Sequence, residues 1–204
     1  MCIRDRIITP CRLRLKITLE GSEPAIWRRV EVNDALTFFQ LHRVIQQAMG
    51  WEDYHPHEFV VARQRVGTAC DGDMFMARDV MVSERRTKLF DLLKNNRKFR
   101  YWYDFGDDWW HTVSIEKRLP ADAEAPPAQL LAGENACPPE DCGGIWGYAD
   151  LLDALADPNH EEHEHLKDWI GDDFDPRAFD LQAHAQRVAR TIRKPTRAKK
   201  GAAG

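Results

Sequence analysis

The sequence predicts an α+β domain: a mixed sheet of two hairpins plus an intervening strand, β-grasp-like in arrangement, with one packed helix and a C-terminal helical segment. Three observations lead there. Residues 12–20 alternate, with Leu13, Leu15, Ile17 and Leu19 on one side and Arg12, Arg14, Lys16 and Thr18 on the other, the period of a half-buried strand. Residues 98–104 and 109–117 read as strands on either side of Phe105, Gly106, Asp107 and Asp108, which have turn chemistry. Thr37 followed by Gln40 is a capping-box signature, and Phe38, Leu41, Ile45, Ala48 and Met49 fall on one helical face before Gly50 offers a left-handed cap.

The remaining elements follow in chain order. Residues 21–24 form a turn, and residues 26–32, carrying Trp27, complete the first hairpin. His42 lies off the apolar stripe of the helix and reads as a solvated surface residue. Residues 57–63 (HEFVVAR) give a strand and residues 88–94 a short helix, while residues 64–86 show no clear period. Residues 120–139, rich in Ala and Pro, read as a surface connection. Three helices are expected over residues 148–156, 158–170 and 176–192. The last two open with Asp157-Pro158 and Asp175-Pro176, an N-cap and a preset first turn, and Gly171 closes the second.

A length of 204 residues suits one domain, spanning 7–193, with enough chain to bury a core. Hydrophobic residues at 43% and charged residues at 30% exclude a disordered or fibrous chain. No apolar run reaches the roughly 18 residues of a membrane span, and no signal-peptide core is visible, so a cytoplasmic location without membrane contact is expected. Five scattered cysteines suit reduced thiols. Residues 1–6, MCIRDR, resemble a translated sequencing adapter and are set aside as non-native. Residues 194–204 read as a disordered basic tail. Residues 187–204 hold seven bases and no acid; without them 22 bases face 33 acids, a body at −11 that repels phosphate backbones. Nucleic-acid contact is therefore confined to a weak, salt-sensitive association through that tail.

The segments FQLHRVIQQAMGW (39–51), HPHEF (55–59), YDFGDDWWH (103–111), CPPEDCGGIWGY (137–148) and DWIGDDFDPRAFD (168–180) together resemble the plasmid pRiA4b ORF-3-like family. The resemblance covers residues 12–188 and implies a compact α+β fold without implying an established activity.

Two of these motifs carry chemistry. YDFGDDWWH gathers Asp104, Asp107, Asp108 and His111 around a turn, where carboxylates beside an imidazole can bind a divalent cation or shift each other's pKa. Acidic turns and core tryptophans account for the same residues on structural grounds. CPPEDCGG joins two stiffening prolines to Gly143 and Gly144, able to hold Glu140 and Asp141 rigidly at a pocket mouth, or to make a tight helix entry. His57, at the start of its strand, can approach the same end of the sheet, so the two loops are expected to meet. Cys137 and Cys142, spaced C-x4-C without a second close pair, do not assign a zinc site. HEEHEH (160–165) lacks the i, i+4 histidines of a zinc protease and reads as a solvated acidic helix. Phosphate-loop, dinucleotide and serine-hydrolase signatures are missing. No cofactor is expected beyond a divalent metal held by these acids. The leading function is a non-enzymatic binding or accessory protein linked to mobile elements, recognising a ligand or protein partner through the two loops. The alternatives are a metal-dependent hydrolase or nuclease using the same acids, and DNA association through the basic tail.

Overall fold

The computed structural model describes residues 11–68, 81–171 and 173–192. The opening hexapeptide, Cys2, Cys70 and the tail from Arg193 onward lie outside the described residues. Among the described residues eight strands form one sheet: β1 (Cys11–Leu19), β2 (Trp27–Asn33), β3 (His57–Val61), β4 (Gln64–Gly67), β5 (Val82–Ser83), β6 (Lys98–Tyr103), β7 (Trp109–Pro120) and β8 (Ala128–Glu134). Their order is β5-β4-β3-β6-β7-β1-β2-β8. Only the β4-β5 pair is parallel. The central run β3-β6-β7-β1-β2 holds the two hairpins and the intervening strand read from the sequence.

One face of this sheet is dry. Leu13, Leu15, Ile17, Val30, Phe59, Tyr101, Tyr103, Trp109 and Val113 are all buried on it. Helix α1 (Phe38–Met49) supplies Phe38, Leu41, Val44, Ile45 and Met49 to the same core. Its N-terminus is closed reciprocally: the Gln40 N–H donates to Thr37 Oγ1 at 3.2 Å and the Thr37 N–H to Gln40 Oε1 at 2.9 Å. Such a cap contributes about 1 kcal/mol, whereas each buried apolar side chain contributes about 1.5–3 kcal/mol. Packing therefore holds α1, and the cap sets where it begins. The other sheet face is wet, and its charges pair across strands, with Arg14 on Glu31, Arg29 on Glu116 and Arg100 on Glu20. Partly exposed pairs of this kind contribute at most about 1 kcal/mol each.

Four further helices are α2 (Leu89–Leu93), α3 (Gly144–Ala156), α4 (His163–Ile170) and α5 (Leu181–Thr191). Helix α5 packs on α1 and β8, and α4 packs on α3. Two expectations need correcting. The surface connection contains β8, whose Ala128 and Leu130 turn inward as it pairs with β2, so an Ala- and Pro-rich composition hid a short alternating edge strand. Neither Asp-Pro pair starts a helix. Asp157 Oδ1 accepts from the Asn159 N–H and Asp175 Oδ1 from the Arg177 N–H, local turns in which the side chain spends its oxygen before a helix can begin. Helix α4 accordingly starts at His163, and α5 starts after Asp180, whose side chain accepts from the Ala183 N–H. Residues 64–86, without a legible period, contribute the short strands β4 and β5.

Candidate functional site

The β6-β7 turn is shaped by its own acids. Asp104 (φ 51°) and Asp108 (φ 58°) both occupy the left-handed region, which aspartate tolerates because its short side chain bonds locally. Asp104 Oδ1 accepts from the Gly106 N–H at 2.9 Å, and the Asp104 N–H donates to Pro56 O at 2.9 Å, laying the turn against the segment that leads into β3. Asp104 is buried, Asp107 is half-buried and Asp108 is exposed, serving the turn alone.

The second loop is fastened to the first by a glycine. At Gly144 (φ +70°) an added Cβ would lie 2.3 Å from Asp107 O, so the loops can touch there only without a side chain. The Gly143 N–H donates to Asp107 Oδ2 at 3.2 Å. On the other flank Trp51 Nε1 donates to Pro138 O at 3.0 Å. Glu140 is held by two donors: the Tyr103 hydroxyl, 3.0 and 3.1 Å from its two oxygens, and the Glu52 N–H at 2.8 Å. Burial and the nearby Glu140 charge push the Tyr103 pKa well up, so its hydroxyl stays a donor.

Between the loops stands an imidazole absent from the sequence-based selection. His55 Nδ1 lies 3.6 Å from Asp104 Oδ2, and His55 Nε2 lies 3.3 Å from Glu140 Oε2 and 3.2 Å from Asp141 Oδ1. Nε2 is enclosed yet makes no hydrogen bond of sound geometry. The structure thus brings together Asp104, Glu140 and Asp141, with Asp107, Gly143 and Gly144 fixing the junction. His111 and His57 lie elsewhere. His111 is fully buried behind Trp51, which meets it edge-on at 5.3 Å while stacking on Tyr103 at 4.9 Å. Burial lowers its pKa to about 4, although the Tyr101 and Trp109 carbonyls nearby oppose the shift, and it stays neutral.

His57 belongs to a second cluster. Its ring stacks on His42 at 3.3 Å and 1°, with His57 Nε2 2.6 Å from Glu84 Oε2 and His42 Nε2 2.7 Å from Asp53 Oδ1. His42 Nδ1 also meets the Tyr101 hydroxyl at 2.8 Å. The surface reading of His42 is therefore overturned: it is fully buried, and its position off the apolar stripe reflects polar partners inside the core rather than water. Burial lowers the His42 pKa against the opposing pull of Asp53. Burial would raise the Glu84 carboxyl, but its bonds to His57 and Thr68 outweigh that and lower it. Among the described residues, two sets can gather three ligand atoms within 4.8 Å of one another: His55, Asp104 and Asp141, and His42, Asp53 and His57.

A cleft of about 660 Å³ opens beside Glu140, lined by Trp51, Tyr54, Phe174, Phe179 and Arg187 among others. Arg28, wholly buried, also lines it; its guanidinium donates to the carbonyls of Trp27, Ala48, Glu134 and Asn135 and packs 3.9 Å from the Phe179 ring. Burial lowers its pKa to about 10, which still leaves it charged.

Fold and site together define an α+β protein with one helix-covered sheet face and a loop-borne polar centre at the edge of a cleft. The chain belongs to the plasmid pRiA4b ORF-3-like family, whose model matches residues 12–183. It is 41% identical over 170 residues to the uncharacterised protein y4hQ of Sinorhizobium fredii (strain NBRC 101917 / NGR234), covering 81% of this chain and 84% of that one. It also resembles the crystal structure of MM3350, a protein of unknown function from Methanosarcina mazei Go1, with a TM-score of 0.77 and 40% identity across 86% of this chain and 97% of that one. Neither name assigns an activity. No helix among the described residues is long and apolar enough to cross a membrane.

Proposed function

We propose that this chain is a binding or accessory protein, not an enzyme, that receives a lysine- or arginine-bearing segment of a protein partner in the cleft beside Glu140. The observation that carries this reading is the charge of the lining. Glu52, Glu140, Asp173, Asp175 and Asp180 face the cleft together with Trp51, Tyr54, Phe174 and Phe179. Opposing them are two arginines, of which Arg28 is spent on backbone carbonyls. An apolar, aromatic floor with an acidic rim suits a cation with an aliphatic stem, through carboxylate pairing and cation-π contact. The volume lies within the range of about 300–1,000 Å³ usual for ligand pockets.

Titration calorimetry with short amidated peptides tests it. Peptides carrying Arg or Lys beside Leu or Phe bind saturably, Glu140→Gln and Phe174→Ala each weaken binding several-fold, and acidic counterparts do not bind. Equal binding of acidic peptides, or none by basic ones, refutes the reading. The family's plasmid-derived name supports a role alongside mobile elements. Free thiols at Cys11, Cys137 and Cys142 support a cytoplasmic setting. A hydrolase or nuclease reading is favoured by one observation, the convergence of His55 with Asp104 and Asp141, and would require an ion there. The basic residues after 187 support a weak DNA contact, one whose affinity falls steeply with added salt.

A further inference from the structure

We infer that His55, Asp104 and Asp141 form a binding site for one divalent first-row transition ion, of the Mn²⁺ or Zn²⁺ type, at the junction of the two loops. The site goes beyond the peptide-binding reading, because it stands on the loop junction and not on the occupant of the cleft.

The spacing admits an ion. One donor atom from each of the three side chains lies within 4.8 Å of the others. Bonds of about 2.0–2.2 Å place neighbouring donors about 3 Å apart and opposed donors about 4 Å apart, so side-chain settling of under about 1 Å closes the set. The polar atoms around it converge on the imidazole. Asp104 commits Oδ1 to the Gly106 N–H and leaves Oδ2 beside the imidazole, 3.6 Å from its Nδ1. Asp141 reaches in from the second loop, held at φ 60°. His55 Nε2 is a buried nitrogen with no hydrogen-bond partner although two carboxylates lie within 3.3 Å of it, which is how a ring nitrogen looks when its lone pair faces a position meant for something else. Carboxylates gathered at such range repel one another, and a divalent cation removes that repulsion while giving the nitrogen its partner. Glu140, fixed by Tyr103 and Glu52, stands next to the ring as an orienting neighbour.

Ligand chemistry selects the ion. One imidazole nitrogen with carboxylate oxygens suits Mn²⁺, Fe²⁺ or Zn²⁺, whereas Ca²⁺ takes oxygen throughout. The neighbouring set of His42, Asp53 and His57 is a poorer candidate. An imidazole binds metal in its own ring plane, and these rings are parallel, 3.3 Å apart, with both Nε2 atoms already bonded to carboxylates.

The test is a MnCl₂ titration of chelator-stripped protein followed by the loss of free-ion signal in electron paramagnetic resonance. Asp104→Asn and Asp141→Asn are the informative variants. Asparagine keeps the shape and tolerates the left-handed backbone at both positions, and thermal melts establish that each is folded. One Mn²⁺ per chain is expected, bound at least tenfold more weakly by either variant, with His57→Gln within twofold of wild type and CaCl₂ failing to compete at equal concentration. No saturable Mn²⁺ binding by wild-type protein overturns the inference, as does retained affinity in either folded Asn variant, loss in His57→Gln, or equal competition by Ca²⁺. Peptide binding measured on the stripped protein separates the two proposals, since its persistence without metal binding sinks only this one.

Discussion

Gly144→Ala is the sharpest probe of how the two loops are joined, because the structure supplies an internal control one residue away. At both Gly143 (φ +87°) and Gly144 (φ +70°) alanine must adopt a left-handed conformation, costing about 1 kcal/mol. The surroundings differ. At Gly143 the added Cβ meets Gly147 Cα at 3.5 Å, an ordinary contact, so strain is the whole cost. At Gly144 it falls 2.3 Å from Asp107 O and 3.2 Å from Asp107 C, backbone atoms that cannot rotate away. Relief requires the loops to part by most of an ångström, which also stretches the Gly143 N–H bond to Asp107 Oδ2. Overpacking of this kind adds about 1–3 kcal/mol, for a total of about 2–4 kcal/mol. For a chain of this size each kcal/mol lowers Tm by about 2–4 °C. Melting followed by circular dichroism should therefore place Gly143→Ala about 2–4 °C below wild type and Gly144→Ala about 4–16 °C below. Equal melting of the two variants would refute the claim that close backbone contact at Gly144 joins the loops.

Other substitutions and conditions give independent checks. Tyr103→Phe removes one of the two donors that hold Glu140 and should cost about 1.5–3 kcal/mol in urea unfolding, as expected for a hydrogen bond to a charged group; an unchanged midpoint means the bond contributes nothing. His111 titrates at about 4 in the folded protein against an ordinary 6.5. The unfolded chain thus binds the extra proton first, and stability falls as pH drops from 6.5 to 4 by up to about 3 kcal/mol. His111→Phe should flatten that decline, and parallel pH profiles for the two proteins exclude His111 as a source. Burial pushes the Cys142 thiol up to about 12; burial, followed by the Asp34 contact, pushes Cys11 up to about 11, and Cys137 is raised as well. In a Cys2→Ser, Cys70→Ser background the folded protein should react with a disulfide reagent at pH 8 far more slowly than free cysteine. A thiol labelled at the free rate would contradict that. Cys142→Ala should fold and keep any bound ion, since one C-x4-C pair completes no tetrahedral site; loss of stoichiometric zinc in that variant would count against it.

What could be read from the sequence tracks how local the cause is. The first hairpin, the Thr37–Gln40 cap and the Asp-Gly turn are fixed by neighbours a few residues apart, and each lies where alternation or cap chemistry placed it. The two strongest site motifs also meet, because the Asp104 turn and Gly144 are complementary in backbone shape. Failures came where a partner is distant. β8 becomes a strand only through β2, and His42 is buried only because Tyr101, Asp53 and His57 converge on it from other elements. Asp-Pro was read as a helix start, but the same side-chain oxygen serves a tight turn equally well, and nothing local distinguishes the two. His55 was visible in HPHEF. It lies in the bend that leads into β3, two residues before His57, where no strand period marks it.

The short spacing of His55 and His57 explains why two polar clusters adjoin without merging. His57 lies in register with Tyr103 on β6, its ring 6.1 Å from that of Tyr101, and His55 lies beyond it with its ring 5.9 Å from that of Tyr103. Two residues of chain separate them, a span of at most about 7 Å. Each tyrosine hydroxyl then serves its own cluster, Tyr101 the buried His42 side and Tyr103 the Glu140 side at the cleft. The inner cluster has every imidazole stacked or bonded, with only its Asp53 reaching the surface, which makes it an anchor for the start of β3. The outer cluster has an imidazole with an unmet nitrogen, an exposed Asp141 and a cleft beside it. Anchoring the strand through His57 fixes where His55 stands, so rigidity in the first cluster is what lets the second hold its carboxylates and imidazole in place before any ligand arrives.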